Sequence, residues 1–158
     1  MHLHFVYLLV FLLAGAAVHI AQLRDRRLQR GAEIALQYLL VGYCGVPMLA
    51  VSLWLLMRPD QAARAFGLSA AGPLVEFFGY AYLGMSVLAL LVLWYRGTFL
   101  VAPVIVWAIY LGGATVVHLE ASERGWFEIF ASHGLVAVLL VGALVLSGAW
   151  RRRVITSS

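Results

Sequence analysis

The sequence has few charged residues, a single cysteine and no recognisable catalytic signature. Of its 158 residues, 11% are charged and 64% are hydrophobic, whereas a soluble domain carries about 25% charged residues. This composition argues against a water-soluble core. Cys44 is the only cysteine, which excludes an internal disulfide and every paired-cysteine motif. No Walker loop, HExxH, GxSxG or dinucleotide-binding fingerprint occurs, so these enzyme classes are set aside.

Long apolar runs occupy most of the chain. A transmembrane helix needs about 20 apolar residues, and five runs are long enough: about 3–23, 34–57, 74–95, 98–118 and 129–150. They exceed the roughly ten-residue strands of a membrane barrel. The sequence therefore predicts an all-α integral membrane bundle of five helices, with 1–158 as one transmembrane domain and no separate soluble domain.

The basic residues indicate an orientation in the membrane. All eleven are arginine, and eight fall at places that five spans would bring to one side. These eight are Arg24, Arg26, Arg27, Arg30, Arg96, Arg151, Arg152 and Arg153. Because basic residues in short loops stay cytoplasmic, we expect the N-terminus outside and the C-terminus inside. Topology thus explains the net charge of +4, and no nucleic-acid partner is expected.

Local signals predict how the helices are joined and packed. Only a few residues around Arg96 separate spans three and four, so we expect a tight antiparallel hairpin. Glycines at four positions in these spans should let neighbouring backbones approach closely; they are Gly79, Gly84, Gly112 and Gly113. The exterior segment RPDQAARAFGLSAAGP should hold one short helical turn, with Asp60 as N-cap and Gly67 as its stop.

Ionisable residues gather at the exterior ends of the spans. Glu76 lies in the first turn of span three, His118 and Glu120 close span four, and His133 enters span five. Such residues are costly inside a bilayer and are functional candidates by default. We therefore predict a site assembled across helices from Glu76, His118 and His133, with Glu120 a further ligand. Tyr80, one turn after Glu76, could hydrogen-bond the carboxylate or a cofactor.

The residue types allow two kinds of ligand. Two imidazoles with one or two carboxylates suit a divalent metal ion such as Zn, Fe or Mn. Histidines that exchange protons near neutral pH suit a proton relay or a quinone headgroup. A plain structural interpretation stands beside both, since interfacial side chains also extend to headgroups and water. A glutamate near a helix N-terminus is favoured by the helix dipole alone.

One stretch resembles known sequences. The segment ARAFGLSAAGPLVEFFGYAYLG through GGATVVHLE, about residues 62–120, resembles an uncharacterised family of small bacterial multi-pass membrane proteins. It is more remotely similar to the DoxX-like group of four-helix membrane proteins. The resemblance rests on the acidic-then-glycine start of span three, the RG hairpin and the GGA…H close of span four. It implies a helical bundle in the bacterial inner membrane, with a hint of quinone-linked redox chemistry.

Two functional hypotheses follow. In the first, the chain is a binding or redox module whose exterior Glu/His site holds a metal ion or quinone. In the second, it is a non-catalytic accessory subunit that packs in the bilayer against larger membrane-protein partners or against itself. Convergence of the three side chains favours the first hypothesis, and burial of small-residue helix faces against another chain favours the second.

Overall fold

The computed structural model describes residues 2–22, 28–67, 72–121 and 133–149, and these residues form helices joined by short turns, with no strand among them. Two of the helices are extended by 3-10 turns at the connection between them, Leu91–Leu93 and Gly97–Leu100. The helices are α1 His2–Ala21, α2 Leu28–Met57, α3 Pro59–Ala65, α4 Gly72–Leu90, α5 Val101–Ala121 and α6 Leu135–Ser147. The predicted all-helical class is therefore confirmed.

Three helical segments are long and apolar enough to cross a membrane: Leu28–Met57, Gly72–Leu93 and Gly97–Leu119. They coincide with the second, third and fourth predicted spans. The apolar segments Val6–Ala21 and Leu135–Ser147 are shorter, and part of the fifth predicted span lies outside the described residues. The expected total of five spans and their orientation stay predictions.

The second helix begins earlier than its apolar run. Its first turns, LQRGAEIALQ, are amphipathic: Ala32, Ile34 and Leu36 are buried while Arg30 is exposed. A search for apolar residues alone misses this part, because one side of it is polar. The buried stripe nevertheless packs against neighbouring helices, and this packing extends the helix beyond the predicted boundary.

The middle of α2 is a π-helix over Tyr38–Gly45. The amide of Val46 donates to the carbonyl of Val41, five residues earlier. Pro47 follows directly, and in a regular α-helix its ring would clash with the carbonyl of Tyr43. We attribute the wider turns to this proline, which membrane helices tolerate when the backbone adjusts locally.

This central helix changes partners along its length. Its first part, Leu28–Gln37, packs on α6, and the π segment packs on α1 and α4. Its last part, Val46–Met57, packs on α4, while α5 packs on α6. A continuous apolar core joins the helices around the π segment. The largest fully buried members of this core are Trp107, Leu36, Leu39, Leu40, Leu100, Leu140, Val92, Val104 and Val136.

The predicted hairpin between α4 and α5 is confirmed. Its turn lies between Leu93 and Gly97, and Gly97 has a φ of 67°, a conformation that side chains other than glycine rarely adopt. Trp107 of α5 donates its indole N–H to the carbonyl of Met85 in α4 at 3.3 Å. Gln37 of α2 donates to the carbonyl of Val92 at 3.2 Å. The second of these bonds occupies a backbone acceptor in the 3-10 turn that ends the helix.

The short helix α3 differs in detail from its prediction. Pro59 takes the first helical position and Arg58 is the capping residue, without a side-chain cap bond. Proline is favoured there because its missing amide would have had no partner. Asp60 is therefore inside the first turn, and its assignment as N-cap was wrong. Gly67, with a φ of 71°, follows the end of the helix as expected.

The predicted glycine packing holds at one position of four. A Cβ built on buried Gly79 would lie 2.9 Å from Leu56 Cγ and 3.2 Å from Leu55 Cβ, so α4 approaches α2 closely there. A Cβ built on Gly84, Gly112 or Gly113 would meet no described atom within 4 Å. At these three positions a close approach by another helix stays a prediction, because they face away from the described neighbours of their helices.

Candidate functional site at the α3 end of the bundle

Two of the predicted site residues lie side by side. The imidazole centroids of His118 and His133 are 5.3 Å apart, with the ring planes inclined at 51°. His118 is exposed in the last turns of α5, and His133 is half-buried directly before α6. The hypothesis of a site assembled across helices therefore has a geometric basis for this histidine pair.

Packing between α5 and α6 accounts for this proximity. The buried face of α5 repeats at helical spacing through Val104, Trp107, Leu111 and Thr115. The hydroxyl of Thr115 donates to the carbonyl of Leu111 at 2.7 Å, which satisfies that hydroxyl within its own helix. His118 lies three residues beyond Thr115, one turn nearer the helix end. The chain reaches His133 as it returns to pack α6 against the same helix.

Glu76 belongs to a different part of this end. It is half-buried on α4, where Phe78 and Tyr82 line a pocket on the side of Tyr110 in α5. Two residues correspond to about 200° around a helix, so Glu76 points away from the side that bears Phe78. Among the described residues, no three or more histidine, cysteine or acidic side chains lie close enough together to hold a metal ion.

The remaining predicted site residues are Glu120 on α5 and Tyr80 on α4. Glu120 belongs to the last turn of α5, but its side chain is outside the described part of the chain. Tyr80 is 60% exposed on α4. It lies one turn beyond Glu76 and on the same side of the helix. The candidate site thus consists of the histidine pair, with Glu76 and Tyr80 on α4 and Glu120 in the last turn of α5 as further candidates.

A second feature of this end was missed by the sequence reasoning. Five side chains line a half-open pocket of about 230 Å³: Leu55, Phe66, Val75, Phe78 and Tyr82. We call it the aromatic pocket. It lies where the end of α2, α3 and the start of α4 meet. The sequence signal for this pocket is the aromatic run EFFGYAY. Within it, Phe78 and Tyr82 are four residues apart and therefore lie on the same face of the helix.

Aromatic rings continue from this pocket into the bundle. Phe78 stacks on Tyr82 with centroids 6.2 Å apart. Tyr82 meets Tyr110 of α5 edge-on at 5.6 Å, and Tyr110 meets Trp107 at the same distance. Edge-to-face pairs at such distances add to the stability obtained from burial. The chain of rings therefore connects α4 to α5 between the aromatic pocket and the buried core.

These features define a helical-bundle protein with membrane-length helices and a histidine pair at one end. The chain belongs to DUF6790, a family of unknown function, whose match covers residues 2–146. This agrees with the uncharacterised family expected from the sequence; the DoxX likeness and the bacterial origin stay predictions. No curated protein and no solved structure matches the chain.

Proposed function

We propose that this chain is a five-span protein of the bacterial inner membrane, with its N-terminus outside, whose His118 and His133 bind a divalent metal ion at the exterior end. The single observation that carries the proposal is the 5.3 Å separation of the two imidazole centroids. The proposal refines the first hypothesis, because the histidine pair now forms its centre and the carboxylates are auxiliary.

The separation agrees with shared coordination. With a Zn–N bond of about 2.0–2.1 Å, a metal ion lies about 3.2 Å from the centre of each coordinating imidazole. Two such rings at a tetrahedral angle have centroids about 5.2 Å apart. The observed centroid separation is therefore close to that of two imidazoles that coordinate one ion. The exposed position of His118 gives an ion access from outside the bundle.

Two histidines leave coordination positions open. Catalytic zinc sites use three protein ligands and keep one position for water or substrate, so a further ligand is expected. Glu120 is the nearest candidate in sequence. Glu76 of α4 is the other candidate. A quinone carbonyl could instead accept hydrogen bonds from the same imidazoles, which is the redox form of this proposal.

Metal analysis of the purified protein tests the proposal. We expect close to one equivalent of metal in the wild type, and loss of most of it in both His118→Ala and His133→Ala. His19→Ala is the matched control, because His19 is an exposed histidine in a helix and contacts Tyr38 instead. Glu76→Gln and Glu120→Gln identify the carboxylate that contributes. Absence of metal, or its retention in both histidine variants, would refute metal binding.

The quinone form predicts a different result in the same preparations. Quinone should co-purify with the wild type, be detected in the organic extract, and be lost from the two histidine variants but not from His19→Ala. If all four proteins carry the same amount of quinone, the histidine pair does not bind it.

The accessory-subunit hypothesis remains as a second candidate. It is supported by Gly112 and Gly113 of α5, beside which an added Cβ would meet open space. Small residues on a lipid-facing helix allow a second helix to approach closely. With Cys44→Ala as background, oxidation of Gly113→Cys in membranes should give a cross-linked dimer, whereas exposed Val138→Cys of α6 should not. Equal cross-linking of both variants would argue against this face.

Labelling of cysteine variants tests the proposed orientation. Gln61 in α3 and Arg96 in the hairpin turn are both exposed and lie at opposite ends of α4. In intact cells of a Cys44→Ala strain, a membrane-impermeant maleimide should label Gln61→Cys only. Labelling of Arg96→Cys instead would reverse the proposed topology.

A further inference from the structure

We propose that the aromatic pocket binds one acyl chain of a membrane lipid. The proposal rests on residues other than the histidine pair, and it holds whether or not those histidines bind metal. Its basis is the combination of a buried apolar floor, an exposed aromatic rim and a position at the end of a membrane-length helix.

The floor and the rim differ sharply in exposure. Leu55 and Val75 form the floor and are 1% and 2% exposed. Phe66 and Phe78 form the rim and are 57% and 43% exposed. Phe78 belongs to Gly72–Leu93, one of the segments long and apolar enough to span a membrane. The pocket therefore opens beside a surface that the hydrocarbon of the bilayer would cover.

Helix α3 holds one side of the pocket in place. Its Ala62 and Ala63 are buried in the same small apolar cluster as Leu55 and Val75. Phe66, directly after α3, meets Trp54 of α2 edge-on with centroids 6.1 Å apart. The Phe66 side of the rim is thus held in place by packing on α2, and an entering chain would not need to order it.

The chemistry of the lining selects the class of ligand. Of the five lining residues only Tyr82 has a polar side-chain group, so a charged or polyhydroxylated molecule would lose hydrogen bonds to water on entry. A hydrocarbon chain loses none.

The volume favours part of a straight chain. An apolar cavity of about 150 Å³ holds benzene, with its six carbons. In the same proportion, a cavity of 230 Å³ would hold about nine carbons. Straight methylene segments fit such a space more readily than isoprenoid segments, whose methyl branches add volume at every unit. Acyl chains also make up most of the hydrocarbon that would surround the rim in a bilayer.

Photolabelling of the purified full-length protein tests this assignment. The probe is palmitic acid with a diazirine on its chain, and the detergent is a steroid glycoside, which contains no straight chain that could occupy the pocket. We expect most of the label on peptides that contain the lining residues of α2 and α4. An excess of unlabelled palmitic acid should remove it, whereas geranylgeraniol should not.

A pair of variants supplies a matched comparison. Val75→Phe places a phenyl ring in the pocket and should reduce this labelling at least about fivefold, because little free volume remains. Val116→Phe makes the same change on an exposed position of α5 and should leave the labelling unchanged. If Val75→Phe does not fold, the competition by unlabelled palmitic acid in the wild-type protein still tests the proposal.

Three results would overturn the proposal. Label spread evenly over exposed helix faces and insensitive to excess palmitic acid would show that no defined acyl site exists. Competition by geranylgeraniol alone would replace the acyl chain with an isoprenoid. Equal labelling of Val75→Phe and Val116→Phe would place the bound chain elsewhere.

Discussion

The close approach of α4 to α2 at Gly79 predicts that Gly79→Ala destabilises the protein. The added methyl would lie 2.9 Å from Leu56 Cδ2 and Cγ and 3.2 Å from Leu55 Cβ. Rotation of Leu56 could relieve the first contact. The Leu55 contact involves an atom attached directly to the backbone, so the helices must also separate slightly.

The magnitude follows from two opposing effects. Overpacking of a tight core costs about 1–3 kcal/mol, while replacing glycine by alanine inside a helix recovers about 0.5–1 kcal/mol. We therefore expect a net loss of about 1–2 kcal/mol in the free energy of unfolding. The matched control is Gly84→Ala on the same helix, where an added Cβ meets nothing within 4 Å. This variant should be unchanged or more stable by up to about 1 kcal/mol.

Reversible unfolding in mixed micelles of mild detergent and dodecyl sulfate, followed by tryptophan fluorescence, provides the measurement. The two variants should shift the midpoint in opposite directions, or Gly79→Ala alone should lower it. Equal shifts of the same sign would mean that α4 and α2 are not in close contact at Gly79. If the contact is the cause, Gly79→Ala should cost less in a Leu56→Ala background than in the wild type.

Three other variants probe separate contacts. A Cβ on Gly72 would lie 2.6 Å from Asp60 Oδ1, so Gly72→Ala should cost about 1 kcal/mol alone and less with Asp60→Ala, as a double-mutant cycle would measure; additive effects would contradict the contact. Trp107→Phe removes the bond to Met85 and should cost about 1 kcal/mol, whereas Trp94→Phe, at a 72% exposed position, should cost nothing measurable; equal losses would count against the bond. Cys44 is 1% exposed, so N-ethylmaleimide should label it only after unfolding, while Gln61→Cys should react in the folded protein; rapid native labelling of Cys44 would refute its burial.

The membrane-length helices were predictable because their signal is local. Each apolar run can be read from consecutive residues. The length of helix that a bilayer requires does not depend on which other helices pack against it. The hairpin around Arg96 was equally accessible, because a very short connection permits only an antiparallel pair. The ends of helices were harder to predict where packing against other helices determines them, as at the amphipathic start of α2.

The candidate site was predictable only in part. Depth in the membrane placed Glu76, His118 and His133 at the same end, but depth contains no information about rotation around each helix axis. A difference of two residues turns a side chain by about 200°, which separates Glu76 from the side of α4 that meets α5. The same ambiguity explains why Gly79 approaches another helix and Gly84 does not.

Composition and apolar spacing by themselves determined that this is an all-helical protein with membrane-length segments. The reason is that the free energy of placing an apolar run in a bilayer depends on the residues of that run. Tertiary structure alone decided that His118 and His133 become neighbours, and that aromatic rings of α4 and of Phe66 after α3 line a pocket with Leu55. These outcomes depend on which faces of the helices meet. That choice is made by packing at positions far apart in the chain, such as Gly79 against Leu56 and Trp107 against Met85.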